Sequence, residues 1–219
     1  MKTISRLLGL LLVTLMAGSQ AAAGPPSLIV GVAVGDRVEV SAIPYAAGPW
    51  GTDYVTVSHV LRVGASYSIT TDGKVFTSTR PIAACSAMHH GIDVLVLRVA
   101  DTRSVARWGH PPELKTGDEL SLTPWREHSG NPIIIRLLHH HFRTWVAADG
   151  WSPELAHTMV AQGHRQPGFS GSAWVRNGKV YGLHKGTARM DDGRIVALAE
   201  PTTRIKYCFA LVGYTPPGQ

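Results

Sequence analysis

Three Asx-Gly turns constrain the fold of this chain more than any other feature. Asp72-Gly73, Asn177-Gly178 and Asp192-Gly193 each lie between runs of β-prone residues. Because both central positions of such a turn need a positive φ, Asn-Gly or Asp-Gly between two strands is the strongest short-range hairpin signal. The three turns therefore predict an antiparallel β protein.

Short β-rich runs fill most of the chain after Leu28, and long helical periodicity is almost absent. Two segments depart from this pattern: Ser152–Gln162 is predicted to hold one or two helical turns, and Thr203–Val212 a closing helix or strand. Many short strands at this spacing favour antiparallel barrels or a sandwich. The predicted strands are Val38–Ile43, Tyr54–Ser58, Ser66–Thr70, Lys74–Ser78, Val94–Val99, Glu119–Thr123, Ile133–Leu138, Thr144–Ala147, Ala173–Val175, Lys179–Leu183 and Arg194–Leu198.

The N-terminal segment has the composition of a secretory signal peptide. A basic start, an apolar run from Leu7 to about Gly18 and an Ala-x-Ala ending at Ala23 are typical of such a leader. The apolar run is too short to span a bilayer, which takes about 20 residues. We therefore predict that residues 1–23 are removed, that the protein is secreted or periplasmic, and that it makes no stable membrane insertion afterwards.

Charge argues against nucleic acid as a partner. Loss of Lys2 and Arg6 with the leader lowers the net charge from +6 to +4, and the remaining charges are scattered. Nucleic-acid binding favours a stripe of Lys and Arg with interleaved aromatic residues, which the sequence does not contain.

Cys85 and Cys208 are the two cysteines. In an exported protein they can form a disulfide, and two buried free thiols fit the sequence equally well.

A segment rich in Arg, Gly and Pro separates two parts of the chain. Prolines interrupt strand pairing, so residues 101–116 are predicted to link two β units, residues 28–100 and residues 117–212. The oligomeric state is not predicted.

The stretch from Pro167 to Val175 is Pro-Gly-Phe-Ser-Gly-Ser-Ala-Trp-Val, in which Ser170 stands between glycines. Flanking glycines allow a tight bend whose N–H groups point at a ligand, as a nucleophilic serine requires. A Gly/Ser-rich surface loop before a hairpin is the alternative.

Two upstream segments supply the partners that a serine nucleophile needs, a histidine base and a carboxylate that orients it. His59 follows the β run Thr56-Val57-Ser58, and Asp93 opens the apolar strand Val94–Val99. Burial of a lone carboxylate is costly unless it is paired, and a histidine ring N–H is a suitable partner.

These segments together resemble the chymotrypsin-like serine peptidases. Thr56-Val57-Ser58-His59 is similar to their Thr-Ala-x-His motif, and Asp93-Val94-Leu95-Val96-Leu97 to their Asp-x-Ala-Leu-Leu strand. Gly168-Phe169-Ser170-Gly171-Ser172 is similar to their Gly-Asp/Asn-Ser-Gly-Gly/Ser motif, and the chain order His, Asp, Ser is also theirs.

The resemblance implies an all-β fold of two antiparallel six-stranded β-barrels with the active site between them. It implies a serine endopeptidase acting on protein or peptide without a cofactor. His59 would be the general base and then acid, Asp93 its orienting group and Ser170 the nucleophile. Backbone N–H groups of Gly168 and Ser170 would form the oxyanion hole.

Two positions refine the resemblance. Phe169 stands where pancreatic-type members have an acid that pairs with a new N-terminus, so we expect no such activation switch here. Gly182-Leu183-His184 is similar to a Gly-Ile-His stretch of V8-type glutamyl endopeptidases, which predicts that His184 binds substrate and favours Glu before the cut. A structural histidine on that strand is the alternative.

Two rival functions stay open. A non-catalytic binding protein on a protease-like scaffold fits the same fold. A secreted metal-binding β protein would use the tract His139-His140-His141 and the pair His89-His90. Consecutive strand residues point to opposite faces, so the tract cannot direct three rings at one ion, and we predict no metal site.

Overall fold

A computed structural model describes residues 30–35, 37–71, 74–78, 81–100, 104–122, 124–125, 132–145, 155–162, 169–190 and 192–217. The predicted signal peptide, residues 1–23, and the predicted oxyanion residue Gly168 lie outside these ranges. The described strands form two sheets of seven strands each.

The first sheet is antiparallel and curls into a half-barrel. Its strand Val94–Val99, the last but one across the sheet, is apolar on both faces, with Leu95, Val96 and Leu97 fully buried. Its strands are β1 (Val30–Val34), β2 (Arg37–Gly48), β3 (Gly51–Thr56), β4 (Tyr67–Thr71), β5 (Lys74–Ser78), β6 (Pro81–Cys85) and β7 (Val94–Val99). Their order across the sheet is β5-β4-β1-β2-β3-β7-β6.

The second sheet closes into a six-stranded barrel. Its strands are β8 (Arg107–Trp108), β9 (Glu119–Leu122), β10 (Ile133–Trp145), β11 (Leu155–Gln162), β12 (Ala173–Arg176), β13 (Lys179–Arg189) and β14 (Ile195–Pro201). Their order is β12-β9-β10-β11-β14-β13-β8, and a further pairing of β12 with β13 closes the ring. The short strand β8 lies outside the ring, parallel to β13. The predicted all-β double-barrel architecture is confirmed.

Two short α-helices, α1 (Ala87–His90) and α2 (Thr202–Leu211), and two 3-10 turns, Ser58–Val60 and Pro111–Glu113, complete the described chain. Helix α2 buries Ile205 and Phe209 in the core of the first sheet, although it follows the last strand of the second. A disulfide between Cys85 and Cys208 joins this helix to the end of β6. No helix among the described residues has the length and apolarity to cross a membrane.

Most predicted strands are present, and β5 and β7 have the predicted bounds. The predicted helical turns in Ser152–Gln162 are wrong, because Leu155–Gln162 forms β11, paired with β10 and β14. Thr144 lies within the long strand β10 and does not begin a separate one. Strands β1, β6 and β8 were missed. The division of the chain at residues 101–116 stays a prediction, and part of that segment forms β8.

The turn at Asn177-Gly178 has the predicted chemistry. Asn177 has φ +51° and Gly178 has φ +70°, as a two-residue hairpin turn requires, and it joins β12 to β13 directly after the serine loop. Asp72-Gly73 lies outside the described residues.

Candidate active site

His59 and Asp93 lie at the ends of two neighbouring strands of the first sheet. β3 ends at Thr56 and leads into a 3-10 turn, Ser58–Val60, that presents the His59 ring, while Asp93 directly precedes β7, which pairs with β3. His59 Nδ1 lies 2.7 Å from Asp93 Oδ2. The antiparallel pairing of β3 with β7 therefore brings together two residues that are far apart in sequence.

Asp93 is buried, with 1 % of its surface exposed. Its Oδ1 accepts three hydrogen bonds, from the backbone N–H of Ser58 (2.6 Å), the hydroxyl of Ser58 (2.8 Å) and the backbone N–H of His59 (2.9 Å). Burial by itself raises the pKa of this carboxyl, but the hydrogen bonds and charges of His59, together with Ser58, hold the pKa below its ordinary value. Asp93 is therefore ionised at neutral pH.

Ser170 completes the arrangement from the second barrel. Its Oγ lies 3.2 Å from Nε2 of His59, on the side of the ring opposite Asp93. The serine sits in a tight turn in which the N–H of Ser172 donates to the carbonyl of Phe169. The ring of His59 thus bridges the hydroxyl of Ser170 and the carboxylate of Asp93.

The serine turn is fixed against strand β2 of the first sheet. The backbone N–H of Ser41 donates to the carbonyl of Ser170 (2.8 Å), and Gly171, with φ +79°, packs on the carbonyl of Ser41. Ser172 Oγ lies 3.1 Å from Ser41 Oγ. These contacts set the position of Ser170 relative to the sheet that holds His59.

Phe169 is a core residue of the second barrel, 3 % exposed. It belongs to the same apolar cluster as Leu120, Trp174 and Tyr181. Its ring also meets the ring of His184 edge to face, with centroids 6.2 Å apart. Apolar packing therefore holds Phe169 in place directly before the serine. A charged side chain at this position would have to be buried in the same apolar cluster.

His184 lies on β13, next to the serine turn, and is 2 % exposed. Its carbonyl accepts from the N–H of Gly171 (2.8 Å), and its Nδ1 accepts from Nε1–H of Trp174 (3.4 Å). Burial, with a smaller effect of the nearby His59, lowers the pKa of His184 to about 4. The ring is therefore neutral at pH 7, with its proton on Nε2.

The structure describes four of the five predicted site residues. His59, Asp93 and Ser170 lie together and His184 lies behind the serine turn, whereas Gly168 lies outside the described residues. Within the described ranges no group of three or more His, Cys, Asp or Glu side chains is placed to hold a metal ion.

Sequence reasoning missed three residues that support the site, Ser58, Ser41 and Glu200. Ser58 directly precedes the predicted base, so a hydroxyl beside the histidine was the available signal. No local signal marks Ser41, because its partner Ser170 lies far away in the sequence. Glu200 is a carboxylate that contacts Asp93.

Comparison with solved structures identifies the fold. The Rv3671c protease from M. tuberculosis, in its active form, superposes with a TM-score of 0.65 at 19 % identity, over 91 % of this chain and 86 % of that one. The MamO protease domain from Magnetospirillum magneticum, in its apo form, has a TM-score of 0.61 at 15 % identity, over 83 % and 95 %. The HtrA-type protease AlgW with a decapeptide has a TM-score of 0.59 at 16 % identity, over 84 % and 64 %.

These likenesses establish the chymotrypsin-like double-barrel fold, the fold that the sequence resemblance implied. No family model matches the sequence, and no curated protein matches it significantly. The particular resemblance to V8-type endopeptidases stays a prediction.

Proposed function

We propose that the protein is an exported serine endopeptidase that hydrolyses peptide bonds through Ser170, His59 and Asp93. The observation that carries the proposal is the bridging position of the His59 ring, 2.7 Å from Asp93 Oδ2 and 3.2 Å from Ser170 Oγ. The fold, shared with several proteases, supports it. The decapeptide in the AlgW structure supports a peptide as the substrate class.

The chemistry follows from the protonation states of the three groups. Ionised Asp93 accepts the Nδ1–H of His59, so Nε2 is unprotonated and takes the proton of Ser170 as Oγ attacks the substrate carbonyl. His59 becomes an imidazolium that Asp93 stabilises. It then gives the Nε2 proton to the leaving amine, which breaks the peptide bond and leaves an acyl-enzyme on Ser170.

Water hydrolyses the acyl-enzyme by the same route. His59 takes a proton from the water as its oxygen attacks the ester carbonyl, and returns that proton to Ser170 Oγ as the acid product departs. We assign the stabilisation of the oxyanion to the backbone N–H groups of Gly168 and Ser170, an assignment that rests on the sequence resemblance.

We further propose that His184 confers a preference for Glu before the cut. Its neutral ring accepts from Trp174 at Nδ1, so Nε2–H is its remaining donor. Such a donor suits a carboxylate or carboxamide oxygen, and the pKa of about 4 argues against pairing through a charged imidazolium.

Peptides that differ only at the residue before the cut test the preference. We expect kcat/KM for Glu to exceed that for Arg or Phe by roughly tenfold or more, with Gln between them, and a strong preference for Arg or Phe contradicts it.

Covalent labelling with a fluorophosphonate probe separates the enzyme from a binding protein on the same scaffold. We expect stoichiometric labelling of the purified mature protein, abolished in Ser170→Ala and in His59→Ala. Ser121, a partly buried serine whose hydroxyl donates to the carbonyl of Val175, provides the control variant Ser121→Ala, which should label normally. No labelling of the wild type, or equal labelling of Ser170→Ala, rejects the proposal in favour of a binding protein.

A further inference from the structure

A buried cluster of charged side chains lies directly behind Asp93. Its centre is Glu200, which is fully buried on β14. Lys185 Nζ lies 3.3 Å from Glu200 Oε2, and Arg204 Nε lies 3.5 Å from Glu200 Oε1. The side chains of Lys185 and Arg204 are 7 % and 18 % exposed. Charges at this depth are costly to bury, so a cluster beside the candidate site calls for an explanation beyond stability.

A β-bulge in β13 accounts for the burial of Lys185. His184 pairs with Ala199 and Gly186 with Leu198, so Lys185 is the extra residue between two pairs of the ladder. Successive strand residues normally point to opposite faces, and a bulge re-aims a side chain out of that alternation. The bulge thus allows both His184 and the side chain of Lys185 to point into the interior, with Lys185 Nζ directed at Glu200.

The cluster holds the backbone of the segment that presents Asp93. Glu200 Oε2 accepts the backbone N–H of Asp93 (3.1 Å), across 107 residues of sequence. Arg204 Nη2 donates to the carbonyl of Gly91 (2.7 Å), two residues earlier. The segment Gly91–Asp93 is therefore held at both ends by side chains of the second half of the chain.

These contacts complement those on the Asp93 side chain. Its carboxylate oxygens take their donors from Ser58 and His59, both in the 3-10 turn after β3, whereas the backbone of Asp93 is held by Glu200 from the second barrel. Lys185 also lies close enough to Asp93 to favour its charged form. Lys185 on β13 and Glu200 on β14 belong to the barrel that carries Ser170, and Arg204 lies on helix α2.

We propose that Glu200, itself held by Lys185 and Arg204, is a positioning residue that keeps Asp93 aligned with His59 when Ser170 reacts. This inference rests on the proposed function. Glu200 is fully buried, out of reach of a substrate, so its contribution acts through the placement of Asp93. Because the His59 ring must be aligned with Ser170 Oγ for proton transfer, a small displacement of Asp93 lowers the rate of the chemical step and leaves substrate binding unchanged.

Kinetics of Glu200 variants test the proposal. We expect Glu200→Ala to lower kcat by roughly tenfold or more with KM within about twofold of wild type. Glu200→Gln keeps an oxygen that can accept the Asp93 N–H, and we expect it to retain most of kcat. Glu200→Ala leaves two buried cations without their anion, which can prevent folding. If the single variant does not fold, the double variant Glu200→Ala/Lys185→Met, which also removes one of the two cations, is measured in its place.

An exposed ion pair on the same barrel provides the matched control. Glu119 on β9 pairs with Arg136 on β10, with side chains 62 % and 59 % exposed. Glu119→Ala should leave kcat and KM unchanged. The proposal is overturned if a folded Glu200→Ala or Glu200→Ala/Lys185→Met variant keeps the kcat of wild type, or if Glu119→Ala loses as much.

A signal that needs no turnover separates this inference from the proposed function. The proton between His59 Nδ1 and Asp93 Oδ2 should give a downfield NMR resonance, assigned by its loss in Asp93→Asn. We expect this resonance to shift or broaden in Glu200→Ala and to stay unchanged in Glu119→Ala. If the wild type does not label with fluorophosphonate, the proposed function fails while this resonance still decides the role of Glu200. An unchanged resonance in Glu200→Ala overturns that role.

Discussion

Gly171 packs directly on the backbone carbonyl of Ser41, at the point where the serine turn of the second barrel meets strand β2 of the first sheet. A Cβ at Gly171 would collide with that carbonyl and with the hydroxyl of Thr56, and its φ of +79° already favours glycine. Because the obstacle is backbone, it cannot rotate away. The close approach of the two halves of the molecule therefore depends on the absence of a side chain next to Ser170.

Substitution Gly171→Ala should displace Ser170 from His59. The positive φ costs about 1–2 kcal/mol for any residue with a Cβ, and the collision adds to it. We expect the rate of fluorophosphonate labelling to fall by roughly 100-fold, since a displacement of about 1 Å can cost that much. The control is Gly178→Ala, which has a similar φ of +70° but open space around its Cβ. It should lose only that backbone cost of about 1–2 kcal/mol of stability and label normally. Equal labelling rates in the two variants would contradict the role of the contact.

Removal of the Ser58 hydroxyl should lower kcat/KM less than loss of the Asp93 charge does. In Ser58→Ala, Asp93 Oδ1 loses one donor and keeps the backbone N–H groups of Ser58 and His59. We expect kcat/KM to fall about threefold to tenfold, against roughly 10⁴-fold for Asp93→Asn, which no longer fixes the His59 tautomer. Steady-state kinetics on one peptide substrate measures both. A loss in Ser58→Ala as large as in Asp93→Asn would contradict this ranking.

Burial of His184 should make the protein less stable as the pH falls from 6.5 towards 4. The pKa is about 4 in the folded protein and 6.5 ordinarily, so in that range the unfolded chain binds a proton that the folded protein does not. The free energy of unfolding should fall by about 2 to 3 kcal/mol across the window. Urea unfolding at about pH 7 and about pH 4.5 measures it.

A histidine comparison isolates this effect. His184→Gln retains an acceptor for Trp174 and does not titrate, so its stability should depend much less on pH in this range. His90→Ala, at an exposed histidine on α1, should keep the pH dependence of the wild type. The same pH dependence in His184→Gln and wild type would show that other groups cause it.

Reduction of the disulfide should release helix α2. The Cys85–Cys208 bond closes a loop with a sequence separation of 123 residues, and closure of a loop of that length is worth about 3 to 5 kcal/mol. We expect dithiothreitol to lower the midpoint of chemical unfolding and to increase proteolysis within Thr202–Leu211. The double variant Cys85→Ala/Cys208→Ala should already show the lower midpoint and should not respond to the reductant. A response in that variant would show that the reductant acts elsewhere.

Local patterns predicted most of the described sheet because they depend on neighbouring residues. The bounds of β5 and β7 follow from β-prone runs, and the Asn177-Gly178 turn from its need for positive φ. The segment Leu155–Gln162 was predicted wrongly, because its apolar residues suit a helix or a strand equally and pairing with β10 and β14 decides between them. Short or edge strands such as β8 have too few residues to give a pattern.

The candidate site was partly predictable for a similar reason. The argument that singled out Asp93, a lone carboxylate beside an apolar strand, applies equally to Glu200, which closes the apolar run of β14. Sequence could not say which of these carboxylates would meet His59 and which would hold the backbone behind it. That difference depends on the bulge at Lys185 and on the contact between the two halves of the molecule.

The sequence by itself determined the β class, the hairpin turn that follows Ser170 and the residue types that the proposed chemistry needs, in a fixed chain order. Each of these depends on local backbone preferences or on side-chain chemistry, which are properties of the residues themselves. The tertiary structure alone decided which atoms meet: His59 with Asp93 and Ser170, Gly171 with Ser41, and Cys85 with Cys208. Those contacts join residues far apart in the chain, and the packing of the two sheets and helix α2 sets their distances.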